Sequence, residues 1–100
     1  MLKIEKKFED EKLFITLEGR LDTNTADELV TELDESLEGV KELCMDFEKL
    51  EYISSAGLRV LLATHKKLSE LGGMKIKNVC SDIMDVFEIT GFNEILEIEK

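Results

Sequence analysis

One hundred residues carrying 13 Lys and Arg against 23 Asp and Glu, with a net charge of −10 and 43% hydrophobic residues, can build at most one hydrophobic core. That balance excludes a disordered polyelectrolyte, and nowhere do about 18 consecutive apolar residues mark a membrane span. An acidic chain without a local cluster of Lys or Arg is repelled by phosphate, so nucleic acid and membrane are set aside as partners, and a basic protein surface is the electrostatic expectation.

Along the chain the apolar period alternates between two and about 3.6. Leu2, Ile4 and Phe8 share one face of a first strand, and Leu13, Ile15 and Leu17 continue on a second after the polar turn Glu9-Asp10-Glu11-Lys12. This is an opening antiparallel hairpin. Ala26, Leu29, Val30, Leu33 and Leu37 then form the buried stripe of a helix, capped by Thr25-Ala26-Asp27-Glu28 and stopped by Gly39. Leu43, Met45 and Phe47 alternate in a third strand. Leu58, Leu61, Leu62, Leu68 and Leu71 give a second helix its apolar side, with Gly72-Gly73 as a left-handed C-cap. Met74 and Ile76 alternate with Lys75 and Lys77 in a fourth strand. Ile83, Val86 and Phe87 mark a short helix between Ser81 and Gly91, and Ile95 and Ile98 a last strand.

The series ββαβαβαβ predicts an α/β fold over residues 1–100 as a single domain: an opening antiparallel hairpin followed by right-handed βα crossovers in a mixed sheet. Strands with helices on both faces are apolar almost throughout, whereas Asp46, Lys75 and Lys77 break these strands at every second residue. Helices mainly on one face and strands in sequence order follow. Cys44 and Cys80, without a CxxC spacing, read as reduced core residues, and no metal or cofactor is expected. The opening Met1-Leu2-Lys3-Ile4-Glu5-Lys6-Lys7 lacks the apolar stretch of a leader, so the expected compartment is the cytoplasm.

Ligands of open α/β sheets bind beyond the carboxyl ends of parallel strands. Two predicted loops meet there: Gly19-Arg20-Leu21-Asp22-Thr23-Asn24-Thr25 and Leu50-Glu51-Tyr52-Ile53-Ser54-Ser55-Ala56-Gly57-Leu58. The pair Ser54-Ser55 stands at the start of a leucine-rich helix, before unsatisfied N–H groups and the positive end of the helix dipole. Capping needs one hydroxyl, which leaves the other free. A phosphate on it would be stabilised by the same amides and dipole, so the fold should survive modification while the surface changes.

The segment Tyr52-Ile53-Ser54-Ser55-Ala56-Gly57-Leu58-Arg59-Val60-Leu61-Leu62, with Gly19-Arg20-Leu21-Asp22 ahead of it and Leu71-Gly72-Gly73 behind it, resembles the STAS domain of bacterial anti-sigma factor antagonists. The resemblance spans essentially the whole chain, and its most specific part is the serine loop followed by Gly-Leu. It implies a partner switch. The unmodified antagonist binds an anti-sigma factor serine kinase and frees a sigma factor; phosphorylation of the antagonist loosens the complex, and a PP2C-type phosphatase restores the binding form. Aligned on Gly57-Leu58, the family phosphoacceptor falls on Ser55. The partner-facing residues would be Asp22, Thr23, Asn24, Ser54, Ser55, Ala56, Gly57, Leu58 and Arg59.

This chain departs from the family where Asp commonly precedes the acceptor and Ser or Thr follows it: Ser54 and Ala56 stand there, which makes Ser54 a rival acceptor. Two other readings of the same fold remain. One is a constitutive STAS scaffold or ligand-binding subunit in which Ser55 is never modified. The other is a small hydrolase with Ser55 as nucleophile, for which no base is visible. His65, the single histidine, reads as a packed mid-helix residue, so no catalytic residue is assigned and the protein is expected not to be an enzyme. Asp22 is read either as a functional residue, making a polar contact to the partner or helping to orient the serine loop, or as a loop residue bonding backbone N–H groups near Asn24. Turn and cap preferences account for Thr23 and Asn24. Arg59 lies on the first turn of the helix, where a cation opposes the dipole; an acidic group of the partner would account for it.

Overall fold

The structure, a computed structural model, describes residues 2–99. In chain order the elements are β1 (Leu2–Glu9), β2 (Lys12–Leu21), α1 (Thr23–Ser36), β3 (Glu42–Ile53), α2 (Ser55–Ser69), β4 (Gly73–Lys77), α3 (Ser81–Thr90), a 3-10 turn at Phe92–Glu94 and β5 (Glu97–Glu99). The sheet runs β1-β2-β3-β4-β5. β1 and β2 are antiparallel, and every later pair is parallel, joined through a helix. The mixed sheet in sequence order is therefore the one the alternating periods predict.

Asp10 and Glu11 turn the hairpin, with Asp10 at a φ of 56, as tight two-residue loops require. On β2 Leu13, Ile15 and Leu17 are buried while Phe14 and Thr16 are half-exposed; on β3 Leu43, Met45 and Phe47 are buried against half-exposed Cys44 and Asp46. One buried cluster joins these residues, with Met74 and Ile76 of β4, to Leu29 and Leu33 of α1, Leu58, Leu61 and Leu68 of α2, and Ile83 and Phe87 of α3. All three helices thus cover one face, and the polar half of each strand leaves the other face open to solvent.

Several boundaries differ from the sequence reading, each for a local reason. The chain stays extended longer than the turn-rich stretches suggest: β2 runs to Leu21 and β3 to Ile53, so each predicted loop shrinks to one residue, Asp22 or Ser54. α1 begins at Thr23, and its cap is Asp22; Thr25, placed in the predicted cap, is the third helical residue and is buried. The helix ends at Ser36, and Gly39 lies beyond it. Val30, expected in the buried stripe, is 38% exposed at the edge facing α2. Phe8 shares the parity of Leu2 and Ile4 but sits beside the turn and is 56% exposed.

Gly72-Gly73 does not cap α2. The helix closes at Ser69 with the right-handed Glu70, so Leu71 falls outside the helical period and is 55% exposed. Gly72 instead permits a close backbone approach: its N–H donates to the Lys41 carbonyl at 2.7 Å, and a Cβ there would collide with the Glu42 side chain and lie 2.8 Å from that carbonyl oxygen. Ile95 precedes the last strand, and Leu96 is the residue buried there. Cys44 and Cys80 are free and half-exposed: Cys44 lies on the open face of β3, away from the core, and Cys80, at the N-cap of α3, packs against the core without being enclosed in it. Burial pushes the Cys44 thiol up from its ordinary pKa, with Lys77 opposing.

Candidate functional site

Two strand ends and two helix starts make one corner. β2 and β3 run parallel with Leu21 opposite Ile53, and the Ser54 N–H donates to the Leu21 carbonyl at 2.9 Å. The next residue after each strand, Asp22 or Ser54, is the N-cap of the following helix. The corner is therefore tied by backbone and caps before any surface side chain is counted.

Asp22 Oδ1 accepts from the N–H groups of Asn24 and Thr25, both at 3.0 Å, and Thr25 Oγ1 accepts from the Asp22 N–H at 2.8 Å. This reciprocal box satisfies donors that the first turn of α1 would leave unpaired. The Thr25 hydroxyl also donates to the Arg20 carbonyl at 2.8 Å, fastening α1 to the end of β2. The Thr25 N–H bond holds the Asp22 carboxyl below its ordinary pKa; partial burial opposes it, while the Thr25 hydroxyl and the Asn24 N–H add to it. Of the two readings of Asp22, the backbone-bonding one describes its geometry. Thr23 and Asn24 are exposed beside it.

The two serines divide their work. Ser54 is extended and its Oγ accepts from the Gly57 N–H at 3.3 Å, while the Leu58 N–H donates to the Ser54 carbonyl at 2.9 Å as the first helical bond. Ser55 is the first helical residue, exposed, with its hydroxyl outside the cap. Gly57 and Leu58, expected among the partner-facing residues, are buried and support the corner from beneath. A Cβ on Gly57 would lie 2.8 Å from Leu21 Cγ and 2.9 Å from Ile53 Cγ1, so only a glycine lets α2 seat this close to both strand ends. Ala56 is half-buried, and Arg59 is exposed one turn further on.

One pair escaped the sequence reading. Arg20 and Tyr52 are register partners on β2 and β3, and the guanidinium lies 4.2 Å from the ring centroid. Their neighbours Leu21 and Ile53 point into the core, so alternation puts the pair on the open face beside the corner. Both residues fall in predicted loops, and nothing in the sequence fixes a register across loops. His65 is half-buried in α2 and its Nδ1 is enclosed without a hydrogen-bond partner. Among the described residues no group of three His, Cys, Asp or Glu side chains is placed to hold a metal ion. No described helix is long and apolar enough to cross a membrane.

Comparison with known proteins agrees with this architecture. The sequence profile of the STAS domain matches residues 3–100, and the chain belongs to the STAS domain family. Among its relatives is BtrV of Bordetella bronchiseptica, a proposed anti-sigma factor antagonist, 34% identical over 91 residues that cover 89% of this chain and 78% of the relative. The crystal structure of an anti-sigma factor antagonist from Mycobacterium paratuberculosis superposes with a TM-score of 0.88 at 20% identity, covering 98% of this chain and 85% of the other. The phosphorylated form of the Bacillus cell fate determinant SpoIIAA superposes with a TM-score of 0.75 at 19% identity, covering 98% and 92%.

Proposed function

We propose that this chain is a cytoplasmic anti-sigma factor antagonist, residues 1–100 acting as one STAS domain, and that the corner of Asp22, Ser54 and Ser55 with the first turn of α2 binds an anti-sigma factor serine kinase. Binding frees a sigma factor, and phosphorylation of Ser55 ends it. The observation that carries this reading is the division between the serines: Ser54 caps the helix, and Ser55 stands exposed at its first position. The relatives named for anti-sigma factor antagonism, and a neighbour known in a phosphorylated form, support it.

The chain supplies an acceptor and no catalytic group. Ser55 Oγ attacks the γ-phosphorus of ATP held by the kinase, the bond from that phosphorus to the bridging oxygen of ADP breaks, and the hydroxyl proton passes to a base of the kinase. Phosphoserine brings about −1.5 to −2 charges to the surface. Interface groups arranged around a neutral hydroxyl then face a dianion, and such a mismatch costs several kcal/mol, where about 1.4 kcal/mol is already tenfold in affinity. At a helix start the dipole and free amides hold the phosphate without unfolding the element. A PP2C-type phosphatase returns the serine: water attacks the phosphorus, the bond from phosphorus to Ser55 Oγ breaks, orthophosphate leaves and the serine oxygen takes up a proton.

Ala56 in the place after the acceptor, and Ser54 before it, favour one second reading: a constitutive STAS scaffold that is never modified. Incubation with the anti-sigma factor kinase of the same organism and ATP, followed by mapping of the phosphate by mass spectrometry, separates the two. Phosphate on Ser55 is expected; phosphate on Ser54 alone, or none, overturns the assignment.

A further inference from the structure

Arg59 lies four residues beyond Ser55 on the same exposed stripe of α2, while Leu58 and Leu61 turn into the core. Residues four apart on a helix are neighbours, their Cβ atoms about 5–6 Å from each other. Cα–Cβ bonds tilt toward the helix N-terminus, so the long arginine side chain extends back over the turn that holds Ser55. The charges of α2 are one-sided. From Ser55 to Ser69 it carries Arg59, Lys66 and Lys67 and no Asp or Glu, in a chain of net charge −10. The ion pairs among the described residues involve Lys3, Lys6, Lys12, Lys41 and Lys49; Arg59 enters none of them. It also sits at the positive end of the helix, where an unpaired cation is disfavoured.

We propose that Arg59 is the internal counter-ion of a phosphate on Ser55, closing on it as a guanidinium–phosphate pair, so that phosphorylation both adds negative charge and withdraws the cation that the unmodified helix offers its partner. This rests on Ser55 being the phosphate acceptor. A planar guanidinium matches two phosphate oxygens at once, which an ammonium does not. Lys66 lies eleven residues down the helix from Ser55, about 16 Å along the axis, and is too far to compete.

The test uses the full chain with phosphoserine installed at position 55, titrated by phosphorus NMR. The second ionisation of phosphoserine lies near pH 6. In the wild-type sequence it is expected to be lowered, to rise by about 0.3 unit or more in Arg59→Gln, and to stay at the wild-type value in Lys66→Gln. Arg59→Lys is expected to restore part of the shift, and phosphorylation should raise the melting temperature more in wild type than in Arg59→Gln. The same ionisation in wild type and Arg59→Gln overturns the proposal. Because the phosphate is installed rather than transferred, the titration reports on Arg59 separately from phosphotransfer: a silent titration beside normal modification of Ser55 removes the role of Arg59 and leaves the switch standing.

Discussion

Gly57 sits against Leu21 so closely that a methyl group on its α-carbon would fall 2.8 Å from Leu21 Cγ. The start of α2 is thereby held down on the strand ends that also carry Asp22 and Ser54. Gly57→Ala is expected to lower stability by about 1–3 kcal/mol in urea denaturation, the usual range for an overpacked core. Leu21→Ala removes the two Leu21 atoms that collide and leaves Ile53 Cγ1, so the relief is partial and the double variant should still cost less than the sum of the two single changes. Additivity within about 0.5 kcal/mol would contradict the contact.

The serines can be told apart by stability alone. Ser54→Ala removes the acceptor of the Gly57 N–H and should cost about 1 kcal/mol, within the range for N-cap serines. Ser55→Ala should stay within about 0.5 kcal/mol of wild type, as for a surface position without a cap. Equal losses at both positions would show that Ser55 is not free of the cap.

Much of this corner can be read from residue order, and its limits are instructive. Alternation over Leu13, Ile15, Leu17 and over Leu43, Met45, Phe47 fixes the strands and the covered face, because period two leaves no other side for the core. The position of the serines at a helix start follows from the leucine spacing behind them. Strand ends do not follow: Arg20 and Tyr52 extend the sheet because each has a partner on the neighbouring strand, and that register is a tertiary fact. Gly72 departs from the C-cap expectation for a related reason. Its missing side chain serves the Lys41 backbone, thirty-one residues away in sequence, and a local C-cap rule has no access to that neighbour.

Asp22 makes stability depend on pH in a defined direction. Its carboxyl is held below the ordinary value of 3.8 in the folded protein, so between the folded and unfolded pKa values the unfolded chain binds more protons and stability rises with pH. The contribution is complete above the unfolded value and is lost as pH falls through the folded one. The advantage of wild type over Asp22→Asn in urea midpoint should therefore be constant near neutrality and shrink below about pH 4. An advantage unchanged down to pH 2 would contradict the charged cap.

Cys44, on the open face of β3, is raised in pKa by burial and so holds less thiolate than an unfolded cysteine at the same pH. Alkylation by iodoacetamide at pH 8, followed by mass spectrometry, should be slower at Cys44 in the folded protein than in urea. Equal rates would contradict this.

Binding to the anti-sigma factor kinase of the same organism, measured by calorimetry with Ser55 unmodified and with phosphoserine installed there, tests the switch most directly. The account predicts that the phosphorylated chain, still folded by circular dichroism, binds at least about tenfold more weakly. Equal affinity of the two forms would contradict it.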